Sequence, residues 1–381
     1  MLVRRIAGVG ISNFLILGSE IISILIISEA YPNNVAANSI TVLAIINVIY
    51  YLFEGRLSEF YFFLSSKNNS DKFDALTETL NINIVLSFFW IIASLIIIDF
   101  SDTMHWIMFI FVAQKILIMP VYRAYSRIND LHFSIIIVAM IIALGRVTSV
   151  MYMQIEFIIL LVLPILYLLN FAYKNIEYWS PGISMRRNYK QLTKYSLLNI
   201  ILLPYRELDV VVSSIFLSFE ELIKYRLFKY WLFALDFLNT IFLQNTIAST
   251  ARHKGDVNFL RKESKNFFYI YIVFLAIVFA LYFVNNLYLN IVDSFVFDDL
   301  ILFYSFLLFA IINWSNRFVA NIMVLGDTLK ISVYYTLSSI VYFLFIFIYF
   351  DIENILYLGQ FIYLLIPTIL AINEKNIRTN A

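Results

Sequence analysis

Apolar residues run along this chain in blocks of about twenty, the length a helix needs to cross the hydrocarbon core of a bilayer. Polar residues gather between the blocks. Taken in order, the blocks predict twelve spans at 6–28, 38–57, 80–99, 105–124, 132–150, 156–173, 194–217, 222–248, 266–286, 300–325, 331–350 and 353–372. The first follows Arg4-Arg5, yet it is too long for a signal peptide, contains Glu20 and lacks a convincing small-residue cleavage site after it. It reads as an uncleaved helix.

Composition fixes the class. Of 381 residues, 62% are hydrophobic, 18% aromatic and only 14% charged, and a soluble chain could not cover that much apolar surface with a polar skin. The expectation is an all-α polytopic membrane protein. The absence of cysteine excludes disulfides, thiolate metal sites and cysteine nucleophiles.

The net charge of +1 says little as a sum, but its distribution is informative. With a cytoplasmic N-terminus, 20 of the 27 Lys and Arg residues fall in inside segments, above all in the loops 54–79, 174–193 and 250–265. The other seven, Lys115, Arg146, Arg206, Lys224, Arg226, Lys229 and Arg317, lie within predicted spans. The positive-inside rule therefore places both termini in the cytoplasm. The outer loops are short and, where charged, acidic, at Glu29, Asp99, Asp102, Asp293, Asp298, Asp299 and Asp351.

The longest break in the pattern, "KNIEYWSPGISMRRNYKQLT" at 174–193, divides the chain into an N-terminal six-helix lobe, 1–173, a cytoplasmic linker, and a C-terminal six-helix lobe, 194–381. The polar segment after the second span, 65–84, has a counterpart after the eighth, 250–270, and Asn129-Asp130-Leu131 corresponds to Gly326-Asp327-Thr328-Leu329. A parallel repeat of six helices, an arrangement common in transporters, is the reading favoured.

Charges inside the spans are the candidate chemistry, because each is expensive in hydrocarbon and normally faces a bundle interior or a water-filled cavity. The seventh span reads Pro204-Tyr205-Arg206-Glu207-Leu208-Asp209. In an α-helix Arg206 and Asp209 share a face while Glu207 points about 100° away. Pro204 leaves the carbonyl of residue 200 without its helical donor, so this stretch predicts a bent, hydrated, cavity-lining helix. Arg206 reads either as an anion site or as a staple for Asp209.

In the eighth span Arg226, Lys229, Asp236 and Asn239 mark a polar stripe, with Lys224 and Arg226 placed to snorkel to headgroups and Lys229 deeper. Arg317 sits among Asn313, Asn316 and Asn321, Lys115 is near the middle of the fourth span, and Arg146, near the outer end of the fifth, is also explained by snorkelling. Glu20 is a proton or cation site, or the partner of one of these cations.

Two stretches carry a family resemblance: "LDVVVSSIFLSFEELIKYRLFKYWLFALDFLNTIFLQNTIASTARHKGDVNFLRKESKNF" at 208–267 and "LGDTLKISVYY" at 325–335. They resemble the polysaccharide (O-antigen, Wzx-type) flippases of the multidrug/oligosaccharidyl-lipid/polysaccharide exporter superfamily. The features in common are a Leu-Asp helix, a Tyr-bearing helix, a basic Gly-Asp link and a Gly-x-x-Lys start to the eleventh helix. Ile223 stands where the family usually has Gly, and Gln244-Asn245 replaces its usual proline region. The first half matches only in span order and loop polarity.

The resemblance implies two lobes that alternately open a central cavity and carry an undecaprenyl-pyrophosphate-linked oligosaccharide across the bacterial inner membrane for surface polysaccharide synthesis. It implies no cofactor beyond proton or sodium coupling, and partners in a polysaccharide polymerase and a chain-length regulator, with no nucleic acid. It also puts a basic residue at Lys229, four beyond Tyr225. Arg206, Lys229, Arg317, Lys115, Arg226 and Arg146 are the candidate substrate cations, and Glu20, Asp209, Glu207 and Asp236 the coupling groups or charge partners. Tyr205, Tyr225, Tyr230, Trp231, Asn239 and Trp314 are candidates to meet the sugar.

Enzyme readings fare poorly. No phosphate-binding Gly-x-x-x-x-Gly-Lys-Ser/Thr loop is present, and His105, His132 and His253 are scattered without metal-ligand spacing. A membrane O-antigen polymerase or glycosyltransferase needs a larger outer loop than 287–299. A drug or cation antiporter of the same superfamily predicts fewer central cations.

Overall fold

The computed structural model describes residues 2–54, 72–100, 102–129, 131–152, 155–230, 328–348 and 359–370, with isolated positions within 57–64, 232–233, 269–280, 307–311 and 356. Every regular element among them is helical. The chain forms two compact units, Met1–Ile223 and Lys224–Ala381.

The first unit holds α1 (Leu2–Ala30), α2 (Asn33–Phe53), α3 (Lys72–Ile97), α4 (Thr103–Ile116), α5 (Met119–Ile128), α6 (His132–Tyr152), α7 (Ile155–Asn175) and α8 (Pro181–Leu203). A π-turn (Pro204–Leu208) then leads into α9 (Asp209–Phe216). Five described stretches are long and apolar enough to cross a membrane: Gly10–Ala30, Asn33–Phe53, Asp74–Ile97, Thr103–Ser126 and Phe133–Tyr152.

Helix starts follow local chemistry. Asp102 caps α4 by accepting the Met104 N–H at 2.8 Å, and Pro181, whose missing N–H has no partner to lose in a first turn, opens α8. The most extensive packing pairs α1 with α6, and α6 also lies against α7. Gly145 permits that second approach, since a Cβ there would sit 2.9 Å from the Leu160 carbonyl oxygen. Leu57, Phe60, Tyr61, Leu80, Tyr122 and Leu168 anchor the apolar core.

Two elements extend past the hydrophobic blocks. The third helix begins at Lys72 rather than near 80, because its polar first turns are bonded: Glu78 to Arg187 (2.9 Å) and Asn188 (3.0 Å), Thr77 to the Asn175 carbonyl (3.1 Å), Asn81 to the Tyr178 carbonyl (3.0 Å). The Glu78 bonds also hold α8, which starts at Pro181 inside the stretch read as an inter-lobe linker. Through α8 the seventh predicted span packs within the first unit, against α2 and α3.

In the second unit, 224–230, α10 (Thr328–Ile348) and 359–370 are helical. Gln360 Nε2 donates to the hydroxyls of Tyr225 (3.0 Å) and Tyr342 (3.1 Å), and Ser338 Oγ donates to the Tyr363 carbonyl. A Cβ at Gly359 would overlap the Tyr342 ring.

Candidate functional site: charges inside the first unit

Glu20 lies on the face of α1 that carries the buried Ser19 and Ser23, and is itself only 5% exposed. Its Oε2 is 2.5 Å from Lys115 Nζ and 3.6 Å from an Arg146 guanidinium nitrogen. Of the readings open to it, the structure places it as partner to two cations at once.

Those cations differ. Arg146 is fully buried and bonded through all three nitrogens: Nε donates to Gln114 Oε1 (3.0 Å), Nη2 to the Phe111 carbonyl (2.8 Å) and Nη1 to the Ile16 carbonyl (3.3 Å). Its guanidinium also lies 5.0 Å from the Phe111 ring centroid. Gln114 Nε2 continues the chain to the Leu161 carbonyl (2.9 Å). Snorkelling is therefore the wrong account of Arg146, which ties α1, α4 and α6 together and, through Gln114, α7. Lys115 keeps 23% of its side chain exposed and is the accessible member.

Lys115 sits in the last turn of α4 because the fourth span, expected as one helix over 105–124, is broken. Ile118 adopts φ 61°, in the left-handed region that β-branched residues avoid. Pro120 contributes one loose end, since it has no N–H to offer the Ile116 carbonyl. Asn83 on α3 repairs both loose ends, donating to the Ile116 carbonyl (3.1 Å) and accepting the Ile118 N–H (2.8 Å), and Ser87 adds a longer bond to Ile116 (3.4 Å).

The seventh span departs from a simple α-helix in the same manner. Pro204–Leu208 form a π-turn, a wider coil often found at functional sites. Widening shifts the side-chain register, so Arg206 and Glu207 both meet α2 instead of diverging. Arg206 lies 4.7 Å from the Tyr51 ring centroid, and Glu207 accepts from Asn47 at 3.4 Å, one turn away on the same helix. Asp209 is buried, and Ser213 donates to its carbonyl (2.5 Å). Nearer the end of α2, Asn199 donates to Glu54 (2.8 Å). Among the charges acting on Lys115, Glu20 and Arg146 come before the more weakly felt Glu207.

In the second unit Arg226 and Lys229 are fully buried, 4.7 Å and 5.3 Å from the ring centroids of Tyr230 and Phe233. This corrects the snorkelling expectation for Arg226, whereas Lys224 is exposed. Asp236, Arg317, Trp231, Asn239 and Trp314 lie outside the described residues, as does the side chain of Tyr205. His105 is engaged by the Asn38 amide (3.1 Å) and the Asp99 carbonyl (2.5 Å). No cluster of three metal-ligating side chains occurs among the described residues.

No family model, curated protein or solved structure matches the chain. The geometry stands by itself: a charged network, rich in basic groups, inside a helical unit built from membrane-length apolar segments. Sequence reasoning overlooked Gln114, Asn47, Asn83 and Arg123. The first three were visible as amides inside apolar runs. Arg123, counted as a loop cation, lies on α5 within the electrostatic reach of Tyr50 and Glu54.

Proposed function

We propose that this protein is a flippase that moves a lipid-linked oligosaccharide, of the undecaprenyl-pyrophosphate class, across the bacterial inner membrane for O-antigen or related polysaccharide synthesis. On this reading it is a transporter and not an enzyme, with twelve spans in two lobes, both termini cytoplasmic, and alternating access through a cationic cavity. The supporting observation is the partly exposed Lys115 side chain, whose Nζ lies 2.5 Å from Glu20 in a network shared with Arg146. A pyrophosphate headgroup is costly to desolvate alone, and Lys and Arg donors offset that cost through charge-assisted hydrogen bonds. Lys115 and the half-buried Arg206 suit an incoming anion. Arg146, whose donors are occupied by carbonyls and Gln114, holds the others in place.

The test is genetic and chemical. Cells lacking the protein should accumulate lipid-linked oligosaccharide on the cytoplasmic face, and Lys115→Ala or Arg206→Ala at normal abundance should fail to clear it. Accumulation of unpolymerised oligosaccharide on the outer face would instead indicate a polymerase. Gradient-driven efflux of lipophilic cations, with lipid-linked oligosaccharide unaffected, would indicate an antiporter.

A further inference from the structure

The buried side of α8 is short of charge, and its exposed side is not. Ser184, Asn188 and Leu192 are buried, and Glu78 on α3 takes both Arg187 and Asn188. On a second face Ile183, Arg187, Lys190, Lys194 and Leu197 follow one another at spacings of four, three, four and three, with Arg187 at the border turned back to Glu78. That spacing makes a single stripe along a helix, and all five are exposed. Arg186 flanks the stripe. Among the described residues Arg186, Lys190 and Lys194 form no ion pair with a carboxylate.

Apolar and aromatic side chains border the cations: Trp179 is 61% exposed, Ile183 71% and Tyr189 68%. Such rings settle at the headgroup level of a bilayer. The same helix then runs on into the seventh predicted span, 194–217, so on the proposed topology the stripe sits where the chain enters the membrane.

We propose that this face of α8 binds the anionic headgroups of the leaflet it emerges from, and so anchors α8 at the membrane surface. Anionic lipid is the occupant that the observations favour. It supplies the negative charge that three unpaired cations lack, and it accepts the neighbouring Trp, Tyr and Ile side chains, which a soluble acidic partner would leave half wet. The attraction fades within a Debye length of roughly 8 Å at physiological salt. Lys194 and Lys190, nearest the apolar segment, should therefore contribute more than Arg186. Each juxtamembrane cation is expected to change the affinity for anionic lipid by about fivefold.

The absence of cysteine allows a clean probe. A spin label on Ile183→Cys in the full chain, reconstituted in nanodiscs, reports collision with a water-soluble relaxation agent. Phosphatidylglycerol mixed into phosphatidylcholine should shield the label, and added salt should reverse the effect. In Lys190→Gln/Lys194→Gln the phosphatidylglycerol fraction needed for half-shielding should rise by at least tenfold, with an unchanged melting temperature because both side chains are solvent-facing. The single Lys194→Gln variant should show about half of that effect on a logarithmic scale. Equal shielding in pure phosphatidylcholine, shielding indifferent to salt, or a double variant shielded like the parent would each overturn the proposal. So would shielding that appears only when a soluble acidic protein is added. None of these outcomes depends on the transported substrate.

Discussion

Replacing Asn83 with alanine removes a side chain that satisfies two backbone groups on another helix, and its effect can be sized from the geometry. Asn83, Ile116 and Ile118 are each at most 1% exposed, so neither loose end can turn to water. Losing the 2.8 Å acceptor strands the Ile118 N–H, and losing the 3.1 Å donor leaves the Ile116 carbonyl with only the long bond from Ser87. Stranding a buried polar group costs about 1–3 kcal/mol, whereas interhelical side-chain bonds in membranes average about 0.6 kcal/mol each, because the unfolded helix finds other partners. Pro120 denies the Ile116 carbonyl its helical donor in either state, so the larger figure applies, and Asn83→Ala should destabilise by about 2 kcal/mol. Thermal and denaturant unfolding in detergent measure it. Restoring the missing donor with Pro120→Ala should recover part of the loss in the double variant. A single Asn83→Ala variant within about 0.5 kcal/mol of the parent, or a double variant less stable than the sum of the singles, would refute the repair argument.

Other changes test the network more directly. Arg146→Met should cost about 1–3 kcal/mol by stranding the buried Gln114 Oε1, read from unfolding curves, while Glu20 keeps Lys115 as its partner. Arg146→Lys should rescue little, since lysine cannot reach three acceptors at once. Gly359→Val should lower the melting temperature of the full chain, because the added carbons overlap the Tyr342 ring; an unchanged melting temperature would contradict that packing. If Glu20 couples transport to protons, Glu20→Gln vesicles should bind substrate yet ignore an imposed proton gradient, and gradient-driven transport in that variant removes Glu20 from the coupling role.

The class of the protein and several helix positions were legible from hydrophobic run length alone. The predicted 132–150 and 156–173 match His132–Tyr152 and Ile155–Asn175 closely, since a long apolar block has one way to satisfy its backbone in lipid. The break in the fourth span was not legible, because proline by itself does not decide. Pro164 sits inside an unbroken α7, while Pro120 accompanies a left-handed Ile118, and the difference visible there is Asn83, thirty-five residues before Ile118. Arg146 misled for a similar reason. Whether a cation near a span end snorkels or is buried depends on acceptors as remote in sequence as the Ile16 carbonyl. Glu20 and Lys115 fall in apolar stretches of membrane-crossing length, but neither their partners nor that of Arg206 could be paired from spacing, and the π-turn invalidates the α-helical angles used for Arg206 and Glu207.

The π-turn also bears on how this stretch tolerates insertion and deletion. A turn closed from residue i to i+5 holds one residue more than the α-helical turn it replaces, so Pro204–Leu208 behaves as a one-residue insertion absorbed without breaking the rod from Pro181 to Phe216. Deleting one residue there would let the backbone return to α-helical winding with little local penalty. The consequence would fall elsewhere: either Arg206 and Glu207 would lose their common aim at Tyr51 and Asn47, or Asp209 and everything after it would rotate by about 100° against its neighbours. A short deletion that leaves the helix intact would thus still scramble the charges, and the spare residue is what lets one helix present two adjacent side chains to the same neighbour.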